Sequence, residues 1–208
     1  MSHRDPPPWL AWAREIQALS QTGLYFGQDH FDVQRYRRLM ALAAEMVAAH
    51  TQLAAAELLE GFAAEPGYAT VKVDVRGAVV REGQILLVQE RSDGRWAMPG
   101  GWADVGETPR EMVTREVVEE SGVDVAVERL LGVYDANRQR PLQFFHAYKL
   151  VFLCRFKGGT PRGSDETSAA AFFPFDALPP LSTFRTDSRH LRDVQQRLQE
   201  PHLGAAFD

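Results

Sequence analysis

Cysteine is nearly absent from this 208-residue chain: Cys154 is the single one. That excludes an intramolecular disulfide framework and a thiolate zinc site. Its neighbours Leu150-Val151-Phe152-Leu153 predict a buried strand thiol rather than a reactive one. An excess of positive charge is also missing, since 23 Lys and Arg stand against 28 Asp and Glu for a formal net charge of −5. Affinity for a polyanionic backbone rests on Lys and Arg neutralising phosphates, so RNA as a partner is not supported by charge. A small phosphorylated ligand is still allowed, because a bound metal ion supplies the local positive charge that the protein lacks. No run of roughly 18 apolar residues occurs, so no membrane partner is expected. The opening Met1-Ser2-His3-Arg4-Asp5-Pro6-Pro7-Pro8 has no apolar stretch of the signal-peptide kind, and the expectation is a cytoplasmic protein. Internal repeats and low-complexity tracts are missing too.

What is present is ordinary globular composition, 45% hydrophobic and 25% charged. The length fits a domain of about 140 residues plus a smaller appendage. Trp9, Trp12, Ile16 and Leu19 fall at helical spacing after the prolines, with Gly23 as the expected stop. A second helix is expected after Asp32 as N-cap, with Val33, Tyr36, Leu39, Met40, Ala43, Met46 and Val47 on its apolar face, and Thr51 is the expected cap of a third through Leu58 and Leu59. Residues 1–65 thus read as a small all-α module without a catalytic constellation, a packing or dimerisation element. Beyond the Pro66-Gly67 turn the period changes to two, Val71, Val73 and Val75 alternating with Lys72, Asp74 and Arg76, and residues 84–90 complete a hairpin. Strand-like runs follow at 123–134, 144–156 and 169–175, with helices at 109–121 and 187–198. Such a mixture without regular βαβ alternation predicts an α+β, mixed-sheet sandwich over residues 69–208. Phe144, Phe145 and Tyr148 read as core side chains rather than as a stacking surface for a base.

The chemistry concentrates in residues 101–123. Thr108, Pro109 and Glu111 form a capping box with proline in the first turn, and Gly122 suits the C-terminal cap. On the helix between them Glu116, Glu119 and Glu120 stand at i, i+3 and i+4 and share an arc of about 100°. Like charges at these spacings destabilise a helix, so the cluster calls for a counter-charge. A hard divalent cation that takes oxygen ligands and shares its shell with substrate phosphates fits. Arg115, four residues before Glu119, can hold a carboxylate in place. Pro99-Gly100-Gly101 lets backbone approach the same place and can offer a carbonyl oxygen.

This segment resembles the Nudix box, G-x5-E-x7-R-E-U-x-E-E-x-G-U with U aliphatic, and fits at Gly101, Glu107, Arg115, Glu116, Val117, Glu119, Glu120, Gly122 and Val123. Trp96-Ala97-Met98-Pro99 resembles the strand and loop that lead into the box. The resemblance implies an α/β/α sandwich, Mg²⁺ as cofactor with Mn²⁺ as a substitute, and metal ligation by Glu116, Glu120 and the Gly100 carbonyl. It gives Glu119 as a further ligand or the residue that positions the attacking water, Arg115 as their orienting partner, and Glu107 as the partner of Arg115. Glu166, in the loop before the last strand-like run, is the second candidate for general base. Arg140, Lys149 and Arg185 are the candidate phosphate contacts. The helical N-terminal segment is similar to that of a bacterial Nudix subgroup containing CDP-choline pyrophosphatase and ADP-ribose pyrophosphatase-like proteins. The expected activity is therefore hydrolysis of the pyrophosphate bond in a small nucleoside diphosphate derivative, by a homodimer. The alternatives are a nucleoside triphosphate or RNA-end pyrophosphohydrolase and, from another class, a ligand-sensing Nudix protein without catalysis.

Overall fold

The computed structural model describes residues 7–139 and 145–208, so the expectations for Arg140 and Phe144 lie outside the described residues. The chain divides into two compact units, a helical one built on the residues up to Val71 and one built on residues 72–139 and 147–208.

In the helical unit α1 (Pro8–Phe26) and α2 (His30–Ala48) are joined by a short turn and followed by α3 (Ala55–Ala63). Pro7 and Pro8 set the start of α1, as proline at the first helical position should. Its buried stripe is Leu10, Ala13, Gln17 and Ser20, one residue round from the expected face, and Trp12 and Leu19 are exposed. Small residues are what let α2 approach here. Gly23 is not the stop: a Cβ on it would lie 2.4 Å from the Tyr36 ring, so the glycine admits that ring while the helix continues. Gly27 ends α1 instead, its N–H donating to Gly23 O at 2.7 Å. Asp29, not Asp32, caps α2 by accepting from the Phe31 and Asp32 amides, and Asp32 pairs with Arg35. Thr51 donates back to Val47 O at 2.9 Å, and α3 starts after Ala54 without a side-chain cap. Met40, Ala43, Ala44 and Phe62 form the core of the three helices.

The second unit runs β1 (Lys72–Arg81), β2 (Gln84–Glu90), β3 (Trp96–Ala97), α4 (Pro109–Ser121), β4 (Val123–Asp135), α5 (Ala136–Gln139), β5 (Ala147–Gly159), β6 (Thr167–Pro174), α6 (Ser188–Gln199) and β7 (Ala206–Phe207). The strands form one mixed sheet in the order β3-β2-β1-β5-β4-β7, with β6 also paired to β2. β1 runs parallel to β5 and β4 parallel to β7, whereas β1–β2, β2–β3, β2–β6 and β4–β5 are antiparallel. On one face Val75, Val79, Leu86 and Cys154 pack under Met112, Val113 and Val117 of α4. On the other, Ala78, Ile85, Leu87 and Val151 pack under Leu191 and Val194 of α6. Each fully buried Val, Leu, Ile or Met among them contributes about 1.5–3 kcal/mol on burial. The result is an α/β/α sandwich, the expected α+β class.

Cys154 is fully buried, and burial pushes its thiol up to about 12, so it is a packing residue. β5 starts at Ala147, and Phe145 and Tyr148 are exposed rather than core. β3, β7 and α5 are too short to leave a periodic signal. Among the described residues no helix is long and apolar enough to cross a membrane.

Candidate active site

The site is organised by α4. Thr108 Oγ1 accepts from the Glu111 amide at 3.3 Å while the Glu111 carboxylate accepts from the Thr108 amide at 2.9 Å, closing the capping box. Gly122 ends the helix in the left-handed region at φ 68°. Between these fixed ends the helix presents its charges to two different surroundings.

Inward, Glu120 is 3% exposed and accepts from the Gly100 amide at 2.8 Å. Glu116 lies against Gly101, where a Cβ would come within 3.0 Å of its carboxylate. Gly100 itself has φ 143°, and a Cβ there would sit 2.0 Å from Val75 O, so only glycine brings this backbone onto β1. The carbonyls of Pro99 and Gly101 accept from the Gly77 and Val75 amides, each at 2.9 Å. The carbonyl of Gly100 between them accepts no hydrogen bond from a described residue.

Outward, Arg115 gathers four carboxylates. Its Nη1 reaches Glu119 at 2.9 Å and Glu116 at 3.1 Å, and its Nη2 reaches Glu107 at 2.8 Å and Asp104 at 3.0 Å. The hydrogen bond from Arg115 holds the Glu107 carboxyl below its ordinary range. The Glu119 side chain is 58% exposed.

Burial pushes Glu120 up to about 7, Arg76 and the Gly100 amide pulling it down and the charges of Glu90 and Glu116 pushing it further up. Burial likewise raises Glu116, against the pull of Arg115. Glu90, at the end of β2, is 3% exposed and also raised, first by burial, with Arg185 and Arg76 opposing. Behind them Arg76 is buried in an ion pair with Asp74 at 3.0 Å and donates to Met98 O at 3.3 Å.

Among the described residues no three His, Cys, Asp or Glu side chains converge as a ready-made metal cage. The donors nevertheless suit a hard cation. The buried Glu120 and the half-buried Glu116 repel each other across a helix turn, the Gly100 carbonyl in the neighbouring loop takes no hydrogen bond from a described residue, and all of these donors are oxygen.

The remaining candidates separate. Glu166 lies exposed in the turn before β6, its amide donating to Ser164 Oγ at 3.1 Å, and next to it Thr167 donates to Glu120 O at 2.7 Å. Arg185 stands beside Glu90, with Nε 3.2 Å from Oε1. Lys149 does not present its ammonium to a ligand. It is 2% exposed, its Nζ donates to the carbonyls of Phe184 and Arg185, and burial lowers it to about 8. The expectation of a phosphate contact is corrected accordingly: on a sheet covered by α6, a lysine in mid-strand is enclosed. Asp74 and Arg76 went unnoticed in the sequence because alternation with valine reads as a solvated face, and Glu90 because it follows Gln89 at the polar end of an apolar run. The signal that could have found them is a helix-forming segment on each side of the sheet, which leaves neither face to water.

A family model described as the NUDIX domain matches residues 71–194, and one described as the UDP-X-like, N-terminal oligomerisation domain matches residues 7–62. The chain is 42% identical over 201 residues to YjhB of Bacillus subtilis (strain 168), which carries the provisional name ADP-ribose pyrophosphatase; the match spans 96% of this chain and 97% of that protein. The crystal structure of a UDP-X diphosphatase is 34% identical with a TM-score of 0.63, covering 96% of this chain and 98% of that one. That of an ADP-ribose pyrophosphatase from Streptococcus suis 89-1591 is 37% identical with a TM-score of 0.61, covering 67% of this chain and all of its own.

Proposed function

The chain belongs to the Nudix hydrolase family, and on that premise we propose that it hydrolyses the pyrophosphate bond of a nucleoside diphosphate linked to a small moiety, giving a nucleoside monophosphate and a phosphorylated product. ADP-ribose, UDP-linked and CDP-choline-type compounds form the substrate class. The observation that carries this reading is the pair of carboxylates formed by the buried Glu120 and the half-buried Glu116, set against the Gly100-Gly101 backbone. Burial and mutual repulsion raise both carboxyls despite Arg115 and Arg76 nearby, a cost that a bound cation would relieve.

Glu116, Glu120 and the Gly100 carbonyl would hold a Mg²⁺ ion, or Mn²⁺, with Glu119 reaching in from the outer side. When bound, the ion neutralises the diphosphate and lowers the pKa of the attacking water. The protein's own groups do the rest. Arg115 restrains Glu116 and Glu119 by charge-assisted hydrogen bonds while Glu107 and Asp104 hold Arg115. Glu119, exposed and held by Arg115, accepts the proton of the attacking water, and Glu166 is the second carboxylate to test in that role. The chain works as a homodimer through its helical unit, where Trp12, Leu19, Tyr25, Phe26 and Phe31 leave large apolar side chains exposed.

The test is incubation with Mg²⁺ and ADP-ribose, a UDP-sugar, CDP-choline, dinucleoside polyphosphates, nucleoside triphosphates and short RNA, the products being resolved, with Glu120→Gln in parallel. Release of a nucleoside monophosphate from a diphosphate-linked compound, lost in the variant, is expected. Preferred release of inorganic pyrophosphate would move the chain to the triphosphate class, and no turnover with any compound would favour a sensing role.

A further inference from the structure

We infer that Arg185 reads a phosphate of the substrate, and that Glu90 and Lys149 are positioning residues that hold it ready. This rests on the hydrolase reading for the identity of the ligand, a diphosphate, and on independent geometry for the arginine.

The segment that carries Arg185 is pinned at several points. Its amides at Ser182, Arg185 and Thr186 donate to Trp96 O, Ser182 O and Ser182 O, at 2.8, 2.9 and 2.8 Å. Thr186 Oγ1 accepts from the Met98 amide at 2.9 Å, and Ser182 Oγ donates to Asp93 at 2.8 Å. From below, the buried Lys149 ammonium donates to Phe184 O at 3.1 Å and to Arg185 O, with Asp74 Oδ2 at 3.4 Å. An ammonium of three donors is thereby met by two carbonyls and a carboxylate, which offsets part of the cost of its burial and fixes the backbone at Arg185. The same Thr186–Met98 bond ties this segment to the strand end that runs into Pro99-Gly100-Gly101.

The side chain is placed just as narrowly. Glu90 Oε1 is buried without an aligned hydrogen-bond donor, and Arg185 Nε is 3.2 Å from it, an ion pair. Arg185 is itself 37% exposed along its side chain, and its two Nη atoms make no hydrogen bond to a described residue. Nε engaged and both Nη left over is the disposition in which a guanidinium grips a phosphate with two parallel bonds, a geometry that an ammonium cannot reproduce. The pair also stands next to the carboxylates. Glu90 is the register partner of Thr167, and Thr167 Oγ1 donates to Glu120 O at 2.7 Å. This sets the Arg185–Glu90 pair beside the strand that anchors the end of α4 carrying Glu120, the side from which the second phosphate of a diphosphate would be met. A purely structural role explains less, because a partly exposed ion pair adds little stability and does not account for a carboxylate held buried and under-bonded.

The experiment uses the full chain, with ADP binding in excess Mg²⁺ measured by calorimetry and steady-state kinetics on ADP-ribose, for wild type, Arg185→Lys, Arg185→Ala and Glu90→Gln, each checked for an unchanged thermal midpoint. Arg185→Lys and Arg185→Ala are expected to weaken ADP about tenfold or more, as loss of charge-assisted hydrogen bonds does. KM should rise more than kcat falls, added guanidinium ion should restore part of the loss in Arg185→Ala, and Glu90→Gln should shift ADP affinity in the same direction by less. Wild-type affinity in Arg185→Lys, or a wild type that binds no ADP, overturns the inference. So does loss of turnover in Glu90→Gln alone, since Glu90 would then serve the carboxylate cluster directly. ADP binding that depends on Arg185 in a protein that cleaves nothing would leave this inference standing and remove the hydrolase reading. Turnover indifferent to Arg185 would do the reverse.

Discussion

Glu119 and Glu120 are adjacent in the chain and live in opposite surroundings. Glu119 is mostly solvated and tied to Arg115 at 2.9 Å, whereas Glu120 is 3% exposed, bonded to a backbone amide and pushed up to about 7 by burial. A turn of about 100° per residue is all that separates them. The outer carboxylate is screened by water and needs nothing further. The inner one carries a free-energy cost that either a proton or a cation relieves. Identity of side chain therefore says little about role on this helix, and the face decides.

The comparison breaks most visibly at Glu120. If the inner face is where a cation is held, Glu120→Gln should lower turnover by more than the 10–100-fold typical of groups that merely orient a metal ligand, and Glu119→Gln should lower it less. Equal losses would erase the distinction between the faces. Stability without metal gives a second reading. The pKa of Glu120 in the folded chain lies above its ordinary value of 4.5, so its contribution favours the fold while the carboxyl is protonated and is lost as pH rises through about 7. Over that window the metal-free protein should lose on the order of 3 kcal/mol. Thermal midpoints in chelator should fall from pH 5 to 8, Glu120→Gln should flatten the slope, and Mg²⁺ should stabilise most at the upper end. A midpoint in chelator that is independent of pH would contradict the assignment of the inner face.

Arg115 joins the two faces, since it bonds Glu116 on one side and Glu119, Glu107 and Asp104 on the other. Arg115→Ala is expected to reduce turnover by about 10–100-fold with Mg²⁺ affinity falling in step. If turnover falls while Mg²⁺ affinity holds, Arg115 acts on the attacking-water side, through Glu119, rather than on the inner carboxylates.

The same contrast explains what the sequence made legible. The α4 helix, its capping box, its glycine stop and the proximity of the Gly100-Gly101 loop follow from local rules, and each stands in the structure. So does the mixed α+β character. What local pattern could not convey is which face another element covers. Trp12 and Leu19 satisfy helical spacing yet stay exposed, because Ala13, Ser20 and Gly23 permit the closer approach of α2. Lys149 and Glu90 have the spelling of solvated strand residues, and they are buried because the sheet is covered on both faces. Arg185 was within reach of sequence reasoning, but its partner Glu90, about a hundred residues earlier, was not: the pairing is made by β2 and the segment before α6 meeting at one end of the sheet.

The smallest expected effect concerns how α4 is held. Thr108→Ala removes the cap that bonds the Glu111 amide, which costs about 1 kcal/mol in comparable helices. That loss touches both faces of α4 alike, because it frays the first turn rather than moving one carboxylate. Glu116 and Glu120 lie two turns or more beyond it and are restrained by the glycine loop and Arg115, so turnover should stay close to wild type while chemical denaturation shifts to a lower midpoint with an unchanged slope. A drop in turnover as large as that of Arg115→Ala would show instead that the first turn, through Glu107 and its bonds to Arg115, sets the geometry of the inner carboxylates. The division of α4 into an independent inner and outer face would then give way to one continuous network.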